Sequence, residues 1–227
     1  MGITDGLVGR RPFSKYGVTE NLIIINFIVW LLQIVLPRVG FDVTWWLGLH
    51  YFGAESFKLW QVVTYMFLHG NFGHIFFNMF ALYMFGTTLE RAWGEGRFLI
   101  YYMVCGIGAG LVQELVWFLS LDSARIYYVG EQLLTIGASG AVFGLLLAFG
   151  VMFPRVPLFI IPIPFPIPAR WFVIGYGVIE LFLGVSGSGD GVAHFAHLGG
   201  MLFGFVLIKI WERRAYRNIN DGWQDFY

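Results

Sequence analysis

Six long apolar runs, at about residues 18–36, 62–88, 98–119, 133–153, 169–186 and 192–211, dominate the sequence. A helix that crosses a bilayer needs roughly 17–25 mostly apolar residues, so each run is a candidate span. Hydrophobic residues make up 58% of the 227-residue chain and charged residues only 12%, about half the usual charged share of roughly 25%. Too few charges remain to cover a soluble domain of this size. The predicted fold is an all-α membrane protein. It has one six-helix domain at 18–211, an N-terminal segment at 1–17 and a C-terminal tail at 212–227.

Two connectors stand apart. Residues 37–61 are too polar to span and rich in Trp and other aromatics, which reads as a structured loop in the membrane interface. Residues 154–170 are apolar but carry six prolines, and proline lacks the N–H a regular helix needs. Lys and Arg set the orientation. With both termini cytoplasmic, inside segments hold eleven basic residues and outside segments three, namely Arg38, Lys58 and Arg125. The formal net charge of zero argues against a nucleic-acid partner, which would call for a basic face. Cys105 is the only cysteine, so no disulfide framework exists. Residues 1–17 lack the apolar core of a cleavable signal peptide, and Gly2 is not followed by the Ser or Thr of a myristoylation site. The expectation is an integral multi-pass protein of a bacterial inner membrane.

The notable polar residues inside the runs are His69, His74 and Asn78 in the second, Glu114 in the third, Ser139 in the fourth, Glu180 in the fifth, and His194 and His197 in the sixth. Ser139 lies sixteen residues before Arg155, His197 sixteen before Arg213 and His74 sixteen before Glu90. At 1.5 Å per residue each is roughly 24 Å above the charged edge of a core about 30 Å thick. The three groups therefore share one layer, nearer the outer face. Gly140, Gly144 and Ala148 form a small-residue stripe on the fourth span, and Ala193, Gly200 and Gly204 form one on the sixth beside His197. Such faces let helices approach closely in a membrane.

A serine hydroxyl needs a base to become a nucleophile, and imidazole suits that task near neutral pH. Ser139 and His197 supply the pair. No carboxylate stands at an obvious position to orient His197, since Asp190 is seven residues away, and neither Glu114 nor Glu180 falls in a usable pattern. The expectation is a dyad without an acidic third member. His74 and Asn78 are four apart, hence on one helical face, and can line an oxyanion hole with the Ser139 backbone N–H. Gly137 and Gly140 leave room for a substrate backbone beside the serine.

These motifs, "HGNFGHIFFN", "GASGAVFG" and "AHLGGMLFG", resemble those of the rhomboid family of intramembrane serine proteases, with "LWQVVTYMFLH" and "GTTLERAWG" extending the similarity over about 18–211. The resemblance implies a six-helix rhomboid-like bundle. It also implies Ser139 as nucleophile, His197 as general base, His74 and Asn78 at the oxyanion hole, and Gly137 and Gly140 flanking the nucleophile. Glu90 would tie the second helix to its neighbours. The implied partners are the lipid bilayer and proteins cleaved in the outer end of a transmembrane segment, after a small residue such as Ala. Neither a cofactor nor a metal is implied. Gln61 departs from the family's Trp-Arg pair in the first loop, and His194 is an additional histidine one turn before His197.

Two other classes stay open. One is a metal site or transporter built from His69, His74, His194 and His197. Against it, the i,i+5 spacing of His69 and His74 is poor for two ligands on one face, and no HExxH motif occurs. The other is a catalytically silent relative acting as a membrane chaperone or binding protein. Such relatives lose the serine or the histidine, and this chain keeps both.

Overall fold

The computed structural model describes residues 17–122, 128–159, 164–187 and 192–224. The first helix, α1 (Val18–Val35), carries an apolar side largely open to its surroundings, with Ile28 and Leu31 more than half exposed. Its N-terminus is held from outside the helix. Glu90 accepts the backbone N–H of Val18 at 2.7 Å and of Thr19 at 2.9 Å, and the Thr19 hydroxyl at 2.6 Å. The first N–H groups of a helix have no partner within it, and a carboxylate both accepts them and faces the positive end of the dipole.

The interface loop is a folded unit. It contains a short helix at Val43–Leu47, the strand β1 (Leu49–His50) and a second short helix at Gln61–Thr64. The strand β2 (Leu134–Thr135) pairs antiparallel with β1, setting Leu49 opposite Thr135 and His50 opposite Leu134. Buried Gln61 closes the loop. Its carbonyl accepts the N–H of Lys58 at 3.0 Å and of His50 at 3.4 Å, while its amide donates to the carbonyls of Ser56 at 3.1 Å and Trp46 at 3.4 Å.

The helix α2 (Phe72–Ala81) starts at Asn71, whose side chain accepts the His74 N–H at 2.8 Å, an N-cap that satisfies one free donor. It continues through a π turn at Leu82–Gly86 into α3 (Thr87–Trp93). The remaining helices are α4 (Glu95–Ser120), α5 (Ser139–Met152), α6 (Ala169–Ser186) and α7 (His194–Gln224). Between α5 and α6 the strands β3 (Pro157–Leu158) and β4 (Ile167–Pro168) form a short antiparallel pair, where proline is tolerated because both strands are edges.

The centre of the molecule is α5, buried along most of its length between α4 and α7. Its small residues allow that. A Cβ on Gly200 would overlap the Gly140 carbonyl oxygen, and one on Gly144 would overlap Cys105. The Tyr101 hydroxyl donates to the Gly144 carbonyl at 2.9 Å, which ties α4 to α5 without a bulky side chain between them.

Among the described residues four helices are long and apolar enough to cross a membrane, at Val18–Val39, Glu95–Ser120, Ala169–Ser186 and His194–Arg214. The other two runs differ from the sequence expectation at their starts. The second helix begins at Phe72 rather than near 62, because residues 61–67 fold into short turns of the interface loop and Leu68 is extended. The fourth begins at Ser139 rather than near 133, because Leu134 and Thr135 pair with β1. The last helix runs past 211 to Gln224. Residues 1–16 of the N-terminal segment and the loop residue Asp190 lie outside the described residues.

Candidate active site

The late start of α5 places Ser139 at its first residue, preceded by Gly137 with φ +133°. An L side chain rarely adopts that φ, so only glycine makes this entry without strain. Gly137 is fixed by its N–H, which donates to the Tyr65 carbonyl at 2.9 Å. Ser139 therefore stands where the first-turn N–H groups of α5 have no partner within the helix.

His197 sits one turn into α7. Its Nε2 is 2.8 Å from the Ser139 hydroxyl oxygen. Its ring stacks on Phe143 with centroids 4.2 Å apart and planes 7° apart. Phe143 is four residues after Ser139, hence on the same face of α5, so one helix supplies both the hydroxyl and the surface that holds the imidazole. Close contact of the small-residue faces is what brings the two helices within reach.

The opposite edge of the ring corrects the expectation that no carboxylate orients His197. Glu180 of α6 is buried, and its Oε2 is 2.9 Å from His197 Nδ1. The same oxygen is 2.7 Å from His194 Nδ1. The sequence carried one usable signal. A carboxylate within an apolar span is costly unless partnered, and two histidines begin the next helix.

His74 and Asn78 face the serine from α2, and both border a cavity of about 620 Å³ with Gly137, Ser139, Gly140 and His197. His74 Nδ1 accepts the Gly70 N–H at 3.3 Å, which leaves Nε2 as the ring's donor when the imidazole is neutral. A Cβ built on Gly137 would lie 2.9 Å from that Nε2. The Asn78 side-chain nitrogen is buried with no hydrogen-bond partner among the described residues. A buried donor left open is costly unless something arrives to accept it.

Other polar residues are placed elsewhere. Glu114 of α4 accepts the Phe52 N–H at 2.8 Å and so ties α4 to the interface loop. The His69 ring meets the His74 ring edge-on at 4.9 Å. The four histidines do not form one cluster with metal-ligand geometry among the described residues. Among the described residues the cluster with metal-ligand geometry is Glu180, His194 and His197.

Comparison with known proteins decides the family. The family model for the Rhomboid domain matches residues 56–214. The chain belongs to the rhomboid family. It is 29% identical over 214 residues to Rhomboid protease AarA of Providencia stuartii, covering 87% of this chain and 73% of that one. It is 32% identical over 165 residues to the mitochondrial Rhomboid protein 1 of Saccharomyces cerevisiae, covering 70% of this chain and 45% of the relative. It is 30% identical over 165 residues to the putative rhomboid protease YdcA of Bacillus subtilis, covering 71% and 74%. A chloroplast relative from Arabidopsis thaliana is matched over 53% of its length. Rhomboid membership and the apolar helices make this an integral membrane protein. Its rhomboid relatives occur in bacteria, mitochondria and chloroplasts by name, so the family alone does not select a bacterial inner membrane. The Gln61 departure leaves the rhomboid loop anchored, because Gln61 makes the four hydrogen bonds described above.

Proposed function

We propose that this rhomboid is an intramembrane serine endopeptidase that uses Ser139 as nucleophile and His197 as general base. The observation that carries the reading is the 2.8 Å contact between His197 Nε2 and the Ser139 hydroxyl at the edge of a cavity. In the first step Ser139 Oγ forms a bond to the scissile carbonyl carbon while its proton passes to His197 Nε2. The carbonyl oxygen becomes an oxyanion, which accepts hydrogen bonds from His74 Nε2–H, the Asn78 amide and the Ser139 N–H. The C–N bond then breaks, and His197 returns the proton to the leaving amine. Water, deprotonated by the same imidazole, hydrolyses the acyl-serine.

Asn78 supports the oxyanion role because its donor is buried and open before substrate arrives. Six spans with both termini cytoplasmic follow from the distribution of basic residues, with α2–α3 and α5 completing the four long helices. The whole domain at 18–211 then presents the serine toward the outer face. The substrate is a transmembrane segment whose outer end unwinds, since a helical peptide bond is shielded by its own hydrogen bonds. The retained Ser139–His197 pair argues against the silent-relative reading.

A fluorophosphonate tests the assignment in detergent. Wild type should be labelled and should cleave a transmembrane reporter, and Ser139→Ala should do neither. Labelling that survives in Ser139→Ala overturns it.

A further inference from the structure

We infer that Glu180 is a positioning residue for His197, making the site a Ser139–His197–Glu180 triad in which His194 anchors the carboxylate. The inference rests on the serine-protease reading of Ser139 and His197 and adds the group that sets the working tautomer of the base.

His197 is held at both ring nitrogens. A carboxylate accepts, so the nitrogen 2.9 Å from Glu180 Oε2 carries the proton, and that is Nδ1. Nε2 then presents its lone pair to the Ser139 hydroxyl 2.8 Å away. The hydrogen bond made by one ring nitrogen decides the protonation of the other. When Nε2 takes the serine proton, Glu180 stays ionised and its charge lies against the Nδ1–H of the new imidazolium. Glu180 neither gains nor loses a proton in this step.

His194 explains how the carboxylate keeps its place. Glu180 is one of only three buried residues on α6, with Ala169 and Val173. Most of the rest of that helix is exposed or half-buried, so a second polar partner for the buried carboxylate matters. His194 Nδ1, 2.7 Å from the same oxygen, gives Oε2 a second donor and makes Glu180 the joint between α6 and α7. Both distances are those of charge-assisted hydrogen bonds. A buried carboxylate left without such donors is strongly unfavourable. The arrangement also accounts for a histidine one turn before the base, which the Ser-His pair by itself does not require.

A metal ion could be held by the same three side chains, whose ligand atoms lie within 4.8 Å of one another. That occupant would take His197 Nδ1 as a ligand and displace the bridging protons. Protons fit better, because the two nitrogens lie 2.7 and 2.9 Å from one shared oxygen, closer than the roughly 3.3 Å between two ligands each about 2 Å from a tetrahedral ion.

Glu180→Gln separates positioning from simple support. The amide keeps the size and an acceptor for the joint between α6 and α7 but removes the charge. Replacing the carboxylate of a serine-protease triad by its amide lowers kcat by about 10⁴. Glu180→Gln should therefore cleave the transmembrane reporter with kcat reduced by roughly 10²–10⁴ and KM within about twofold, and its fluorophosphonate labelling should slow in parallel. A kcat within about threefold of wild type, or a change in KM alone, overturns the inference. A wild-type measurement stands beside it should the variant fail to fold. In ¹⁵N-histidine-labelled protein, with His197 assigned by the signal lost in His197→Asn, the ring should be the Nδ1–H tautomer. The Nε2–H tautomer overturns the inference. Activity should be unchanged by EDTA, whereas loss restored by Zn²⁺ puts a metal in place of the bridging protons and overturns it too. An inactive wild type that fluorophosphonate does not label is a different result, because it removes the protease reading itself.

Discussion

Gly137→Ala probes the entry to the nucleophile. Two effects arise from the structure and act on different observables. The first is backbone strain. A residue with a Cβ held at φ +133° costs on the order of 1–3 kcal/mol, which lowers stability but leaves most proteins folded, given typical stabilities of about 5–15 kcal/mol. The second is a collision. The new methyl would lie 2.9 Å from both Cε1 and Nε2 of His74, inside the roughly 3.5–4.0 Å of an unstrained carbon contact. The ring borders the cavity and can swing away, but it then leaves the position from which Nε2–H meets the oxyanion. Loss of one such donor lowers kcat by about 10²–10³. The expected result is a modest drop in melting temperature together with a kcat lower by that factor. Purified protein in detergent, a thermal melt and steady-state cleavage of a transmembrane reporter read both quantities. The double variant Gly137→Ala/His74→Ala divides them. If displacement of His74 carries the kinetic effect, its kcat should match that of His74→Ala, a non-additive pair. A Gly137→Ala protein with wild-type kcat, or two substitutions whose effects on kcat multiply in full, refutes the reasoning.

His197→Ala should lower kcat by about 10⁴–10⁶, as removal of a serine protease's base does, whereas His194→Ala should cost about tenfold, the equivalent of one hydrogen bond. Reporter cleavage ranks them, and the reverse order would mean that the base is misassigned. Asn78→Ala should lower kcat with KM little changed, and less severely than loss of the whole hole because His74 and the Ser139 N–H remain. An effect on KM alone would make Asn78 a substrate-binding group. Glu90→Gln should destabilise the fold by about 2 kcal/mol, since charged hydrogen bonds contribute roughly 1.5–3 kcal/mol each and the amide mismatches the donors of Val18 and Thr19. Unfolding in SDS measures it, and kcat of the folded fraction should stay at the wild-type value.

What could be read from the sequence depended on where counting began. Ser139, His197 and His74 each stand sixteen residues before a charged residue, Arg155, Arg213 and Glu90, on helices that run the same way in the proposed topology. In that topology α6 runs the other way. Glu180 is ten residues from Arg170, roughly 15 Å at 1.5 Å per residue, and by that count it lies well below the other groups. Counted from the loop that joins α6 to α7, it is six residues inside Ser186, and His197 is three residues inside the start of α7. Those depths are roughly 9 and 4.5 Å, within one helical turn of each other. The missed helix starts have a different cause. Hydropathy continues through 62–69 and 133–138 because these residues pack as short turns and a strand of the interface loop, buried or half-buried, and not because they continue the long helices, so only local chemistry marks the boundary. Asn71 as an N-cap and Gly137 before the serine were the available signs. Both boundaries matter for the chemistry: a helix begun at 133 would carry Ser139 in its second turn with its N–H already bonded, whereas one begun at Ser139 leaves that N–H free to meet an oxyanion.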